Sequence, residues 1–298
     1  MTSPEADAQE GPRHVAGTLC GMAIALALAA ALLSGSGDFL GGLASRRDRV
    51  MAVVLVNHLA GVITVLALGP VFGGSLDGST FLWGSLAGLS GAMAVIALYS
   101  GFARSSIGVV SPIAAVGAGV WPALWEVVRG DLPTAVVVLG LVVGLVAIWT
   151  ISSGGHISES DDVATGVRFG LLAGLGFGGL LIFLSLAAGD SGIWGLLPAR
   201  ISGSLVLLVI VAKLPGKLFP TRVAIAPAIG AGLLVTLGNG LFILATTKGS
   251  LAVVSVISAM FPAATVVLAW VVLGERLTRQ RRLGLVLALV AVGLVAAG

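Results

Sequence analysis

The stretch VVRGDLPT at residues 127–134 recurs as VVLGERLT at 271–278, 144 residues downstream. The likeness continues in register: LGLVVGLVA (139–147) answers LGLVLALVA (283–291), and RSSIGVVSPIAA (104–115) answers KGSLAVVSVISA (248–259). Over 99–148 against 243–292, 18 of 50 positions are identical without a gap. Both copies are almost wholly apolar, so the chain reads as a duplicated membrane unit. Duplication of that kind points to alternating access between two halves.

A sequence 57% hydrophobic and 10% charged, with a mean hydropathy of +1.12, lies outside the range of soluble domains. Its apolar runs are long enough for the roughly 30 Å hydrocarbon core, which takes about 20 helical residues. The 44 glycines suit close helix–helix approach in lipid. One cysteine, Cys20, excludes an internal disulfide and a thiolate metal site. The basic residues are dispersed between apolar runs without interleaved aromatics, which gives no nucleic-acid signal. No GxxxxGK[ST] loop is present, so ATP is not the expected energy source, and neither a cofactor nor a metal is expected.

The apolar runs predict an all-α membrane protein of ten transmembrane helices, at about 25–44, 50–68, 81–101, 107–128, 134–151, 167–188, 193–211, 224–246, 251–273 and 283–297. Residues 1–18 are expected to be a disordered polar N-terminus, 19–151 the first repeat, 152–162 a linker, and 163–298 the second repeat. With five helices per copy, the second copy enters the membrane inverted relative to the first. The expected setting is the lipid bilayer of the plasma membrane, as a multi-pass protein. Monomer and oligomer both stay open.

Ionisable side chains inside the spans are costly, roughly 2.5–3.5 kcal/mol for a central Arg or Asp on insertion scales, so they face a cavity or a partner. Three stand out: Asp38, His58 and Arg200. Aligning NHLAGVITVL (57–66) with ARISGSLVLL (199–208) pairs His58 with Arg200 and Gly61 with Gly203. With Asn239, a polar group in the middle of the eighth predicted helix, these form the expected substrate- or proton-binding set. Asp38 is expected either to carry a coupling proton or to neutralise Arg200. Trp121 and Trp125 read either as cavity lining or as an aromatic belt. Arg104 and Lys248, at matched junctions, read either as a charged rim or as cations serving helix C-termini. Glu126 is expected to pair with Arg129, three residues on.

The run SAMFPAATVVLAWVVLGERLT (258–278) resembles the signature of the drug/metabolite transporter superfamily in its EamA-type branch, with Pro262, Gly274 and Glu275 at the marked positions. ALYSGFARSSIGVVSPI (97–113) and LLSGSGDFLGG (32–42) are similar to the matching parts of the first repeat. The resemblance implies two inverted five-helix repeats around a cavity that carries small molecules, not an enzyme. Three departures are visible, the first being Asp38, which lies where many relatives have an uncharged amide or hydroxyl. Pro122 stands one turn later than Pro262, whose counterpart is Ala118, so kinks are expected to differ between the halves. Twelve of the 16 Lys and Arg residues follow odd-numbered predicted helices, which places both termini outside by the positive-inside rule, whereas the resemblance implies cytoplasmic termini.

One acid with two basic groups favours a small zwitterion or anion, such as an amino acid or carboxylate, moved by a secondary transporter as an exporter. Proton-coupled export of lipophilic cations is the alternative. A remote third reading comes from GSGD (35–38) and Pro122-Ala123-Leu124, which match the GxGD and PAL of intramembrane aspartyl proteases. That chemistry needs a second aspartate inside the spans, and Asp48, Asp77, Asp131 and Asp190 all fall in loops.

Overall fold

A chain in hydrocarbon must satisfy its backbone groups internally, and this one does so with helices alone among its described residues. The structure is a computed structural model that describes residues 4–102, 104–105, 107–153, 162–214, 218–274 and 278–297, without the side chains of 4–18, 99, 102, 107, 108, 111 and 190. Most of the expected linker and Glu275 lie outside the described residues. The helices are α1 (Pro4–Ser45), α2 (Val50–Phe72), α3 (Gly78–Phe102), α4 (Ile107–Arg129), α5 (Ala135–Ser152), α6 (Val163–Leu186), α7 (Leu196–Lys213), α8 (Arg222–Thr246), α9 (Leu251–Ser258), α10 (Phe261–Leu273) and α11 (Arg279–Ala297). Nine apolar stretches among the described residues are long enough to cross a membrane, and α4 adds a further 23-residue helix.

Two elements depart from the expected boundaries. The first helix starts at Pro4, inside the segment expected to be a polar tail, and its apolar part is Leu19–Ser45. Asp38 therefore stands six residues from the middle of that span, about 9 Å along the axis at 1.5 Å per residue. The ninth expected helix is two, α9 and α10. Proline at 262 has no N–H to give and crowds the carbonyl of Ser258, and the chain turns through Ala259 and Met260. Short turns recover the backbone bonds there: Met260 N–H donates to Ile257 O at 3.1 Å and Ala263 N–H to Met260 O at 2.8 Å.

The packing exchanges the two halves. Helix α1 lies on α8 and α6 on α3; α2 crosses α7; α4 meets α9; α5 pairs with α11. Small residues set these approaches. A Cβ on Gly88 would strike the Ala199 backbone of α7, and one on Gly232 the Asn57 backbone of α2. Loop contacts define the two ends of the bundle. Asp48, after α1, accepts from Thr221 N–H at 2.6 Å, just before α8, which joins those loops at one end. Gly74, after α2, meets Ser191 and Gly192, between α6 and α7, at the other. Arg46, Arg47, Arg49, Lys213 and Arg222 belong to the first of these, the arginine-rich end.

Candidate functional site: a central cavity with an unpaired arginine

Where α1, α2, α3, α4, α6, α7, α8 and the α9–α10 break converge, they leave a cavity of about 620 Å³. On α1 its lining runs from Ala30 to Ser45, so it reaches the arginine-rich end. Towards the opposite end it stops at Leu184, Leu196 and Phe242, all three fully buried. The walls are mostly apolar, with the break contributing Ser258, Ala259, Phe261 and Pro262.

Asp38, His58, Arg200 and Asn239 all line this one space. They come from α1, α2, α7 and α8, so the bundle collects polar groups that are far apart in sequence. The lining also includes Asn57, Ser34 and Ser45, which sequence reasoning did not single out. Asn57 could have been found, because an amide next to His58 inside an apolar run is itself costly.

The α2–α7 crossing interlocks the two basic side chains. His58 donates from Nδ1 to Val54 O, 3.1 Å away, and its ring lies over Gly203, where a Cβ would come within 3.0 Å of Cδ2 and 3.2 Å of Nε2. Arg200 lies over Gly61 in return, where a Cβ would be 2.9 Å from its Cδ and Nε. Each basic residue thus covers the glycine three places beyond the other, the pairing set by NHLAG and ARISG.

Arg200 is 6% exposed, and its Nη2 has no hydrogen-bond partner among the described residues. No ion pair or hydrogen bond joins it to Asp38, although both line the same space. The Asp38 side chain is itself open to the cavity and, among the described residues, is the only acid in its lining. A guanidinium offers five N–H donors in a planar fork that matches a carboxylate or phosphate. Burying such a group without a countercharge is expensive, and its fork is free to take an anion.

The remaining candidate residues sit elsewhere. Trp121 and Trp125 are on exposed parts of α4 and outside the cavity lining; Trp121 packs over Gly178 of α6. Arg104 stacks 5.3 Å over the Phe169 ring and donates from Nη1 to Ser100 O at 3.2 Å, serving the end of α3. Lys248 is exposed in the turn between α8 and α9. Glu126 does not use Arg129 as its partner. Its carboxylate accepts from Ser250 Oγ, from Leu251 N–H and, at 2.9 Å, from Ala252 N–H, at the start of α9. Among the described residues no cluster of three or more His, Cys, Asp or Glu side chains could hold a metal ion.

Comparison with known proteins agrees with this architecture. One solved structure, described only as a crystal structure of a protein, superimposes with a TM-score of 0.74 at 14% identity, over 92% of this chain and 97% of its own. That likeness covers both halves and speaks for the fold alone. No curated protein matches the chain. Residues 164–297 match the EamA-like transporter family, a family of transporters rather than enzymes. The second half of the chain is therefore an EamA-like transporter domain.

Proposed function

We propose that this protein is a secondary transporter that exports a small zwitterion or organic anion, an amino acid or carboxylate, by alternating access across the plasma membrane. Two inverted five-helix repeats form its halves. Support for the repeats comes from the 144-residue register and from packing that recurs with the halves exchanged, as in Gly88 on α7 and Gly232 on α2. The observation that carries the substrate class is Arg200: buried, facing the cavity and without a partner. An incoming carboxylate supplies the missing countercharge through charge-assisted bonds. His58, Asp38 and Asn239 surround the rest of the bound molecule, and Asp38 is the residue placed to meet a cationic pole.

Transport assays in liposomes test this reading with amino acids, organic acids and quaternary amines. Uptake of an amino acid or carboxylate is expected, with Arg200→Gln lowering kcat/KM by about 100-fold, the scale of a lost charged hydrogen-bond pair. A specific feature favours the alternative of a lipophilic-cation exporter: the Asp38 carboxylate faces the cavity with no cation beside it. Transport confined to quaternary amines and indifferent to Arg200→Gln would establish that alternative instead.

A further inference from the structure

Glu126 stands in the last turn of α4. There its charge opposes the dipole of its own helix, whose C-terminal end is negative. What it gains lies across the bundle. The N-terminus of α9 presents unpaired backbone N–H groups and a positive dipole end, and Glu126 takes two of those N–H groups together with the Ser250 hydroxyl. One side chain thus ties the end of α4 in the first half to the start of α9 in the second. It does so at the end opposite the cavity mouth, beyond the closure at Leu184, Leu196 and Phe242.

The register does not repeat this tie. In the 144-residue register the counterpart of Glu126 is Trp270, an exposed residue of α10 that can accept no hydrogen bond from the start of α4. A duplicated carrier with equal closures at both ends would have no built-in preference between its two states. Here the closure at one end contains a charged cap that the register does not repeat.

We propose that Glu126 is a latch that holds the end opposite the arginine-rich loops closed, so that the empty carrier rests open towards the arginine-rich end and loads there. This rests on the alternating-access reading and deepens it by assigning the resting state. A carrier that rests open at one end must break the latch to release its cargo at the other. Occupation of the cavity has to supply what the latch loses, because a ligand shifts a two-state balance only by its differential affinity.

The test is a distance measurement on substrate-free protein. Cys20, exposed and the sole cysteine, is replaced by Ser, and spin labels are placed at Val128→Cys and Lys248→Cys, both exposed and flanking the latch. The unaltered latch is expected to give one short, narrow distance distribution. Glu126→Gln removes the charge, and Ser250→Ala removes one of the three donors while leaving the backbone groups in place. Losing a helix cap shifts a two-state balance by about tenfold, so a longer-distance population is expected to grow by about that factor in Glu126→Gln, and by less in Ser250→Ala. Distributions that superimpose in all three proteins, each folded by circular dichroism, would overturn the latch. The labels report without any substrate, so the result stands apart from whether an anion is transported. If Arg200→Gln abolishes transport while the distances ignore Glu126, the latch fails and the transport reading does not.

Discussion

Helix α4 and the α9–α10 pair answer each other in the 144-residue register, yet one is continuous and the other is broken at the cavity. Proline content does not explain this. Helix α4 carries Pro112 and Pro122 and runs unbroken from Ile107 to Arg129, whereas Pro262 coincides with a break. The difference lies in what each helix touches. Gly117 of α4 meets Gly174 of α6 so closely that a Cβ on Gly117 would lie 2.6 Å from the Gly174 Cα. Its counterpart in the second repeat is Phe261, which faces Gly35 of α1. A phenylalanine cannot share a glycine–glycine contact. The chain breaks there and presents the Phe261 carbonyl to Gly35 instead, while Thr265 Oγ1 donates to Gly35 O at 2.9 Å to hold α10 in place. Proline in the first turn of α10 then costs no hydrogen bond.

Gly35 is where this comparison breaks most violently. A Cβ there would collide with the Phe261 carbonyl oxygen and lie 2.7 Å from the Ala264 Cβ. Neither neighbour is the flexible end of a side chain, so the helices must separate. Gly35→Val is expected to cost about 3 kcal/mol of stability, the upper range for overpacking, visible as a loss of folded protein on heating in detergent. Ala264→Gly in the same background should recover part of that loss by removing the Cβ met at 2.7 Å. Additive losses in the double variant would show that this contact does not carry the cost.

A smaller effect separates the two prolines. If the break serves to line the cavity with Ser258, Ala259 and Phe261, then Pro262→Ala, which restores an N–H and relieves the crowding of Ser258 O, should favour a continuous helix and fill part of the site. Transport is expected to fall by about tenfold, on the order of 1.4 kcal/mol. Pro122→Ala, in a helix already continuous, should change it by no more than about twofold. Equal losses in the two variants would remove the functional meaning of the asymmetry.

These features also mark how far the sequence can be read. Apolar runs announced the spans because a bilayer admits little else, and the placement of polar groups at depth pointed to Asp38, His58, Arg200 and Asn239, which the bundle gathers around one cavity. The break at Ala259–Met260 was not legible, since Pro122 and Pro262 look alike locally and the deciding partner, Gly35, is 227 residues from Pro262 in the chain. Glu126 taught the same lesson in electrostatics. Its near neighbour Arg129 is three residues away, but the groups it binds are at 250–252, where a second helix begins. Periodicity and composition report on a segment's surroundings in general; which helix end a carboxylate reaches depends on tertiary packing.

The smallest expected effect concerns the other end of the molecule, where Asp48 ties the α1–α2 turn to the start of α8. Its carboxylate accepts from Thr221 N–H at 2.6 Å and from Arg49 N–H at 2.7 Å, and these bonds hold its pKa below the usual carboxylate value of 3.8. A folded-state pKa below the unfolded one means that the tether contributes fully above the ordinary carboxylate value and is lost as pH falls through the lowered one. Melting temperatures of the wild type and of Asp48→Asn should therefore differ by a constant small amount above about pH 5 and converge as the pH drops below about 4. Glu126 makes the instructive contrast: both carboxylates tie the first half of the chain to the second, but Glu126 joins two helix ends beyond the closed end of the cavity, whereas Asp48 joins loops at its mouth. Removing the Asp48 tether should thus change stability with pH and leave the Val128–Lys248 distance alone. If Asp48→Asn lengthened that distance, the two ends of the bundle would be coupled through the halves as rigid bodies, and the closed end would not be held by Glu126 independently of the mouth.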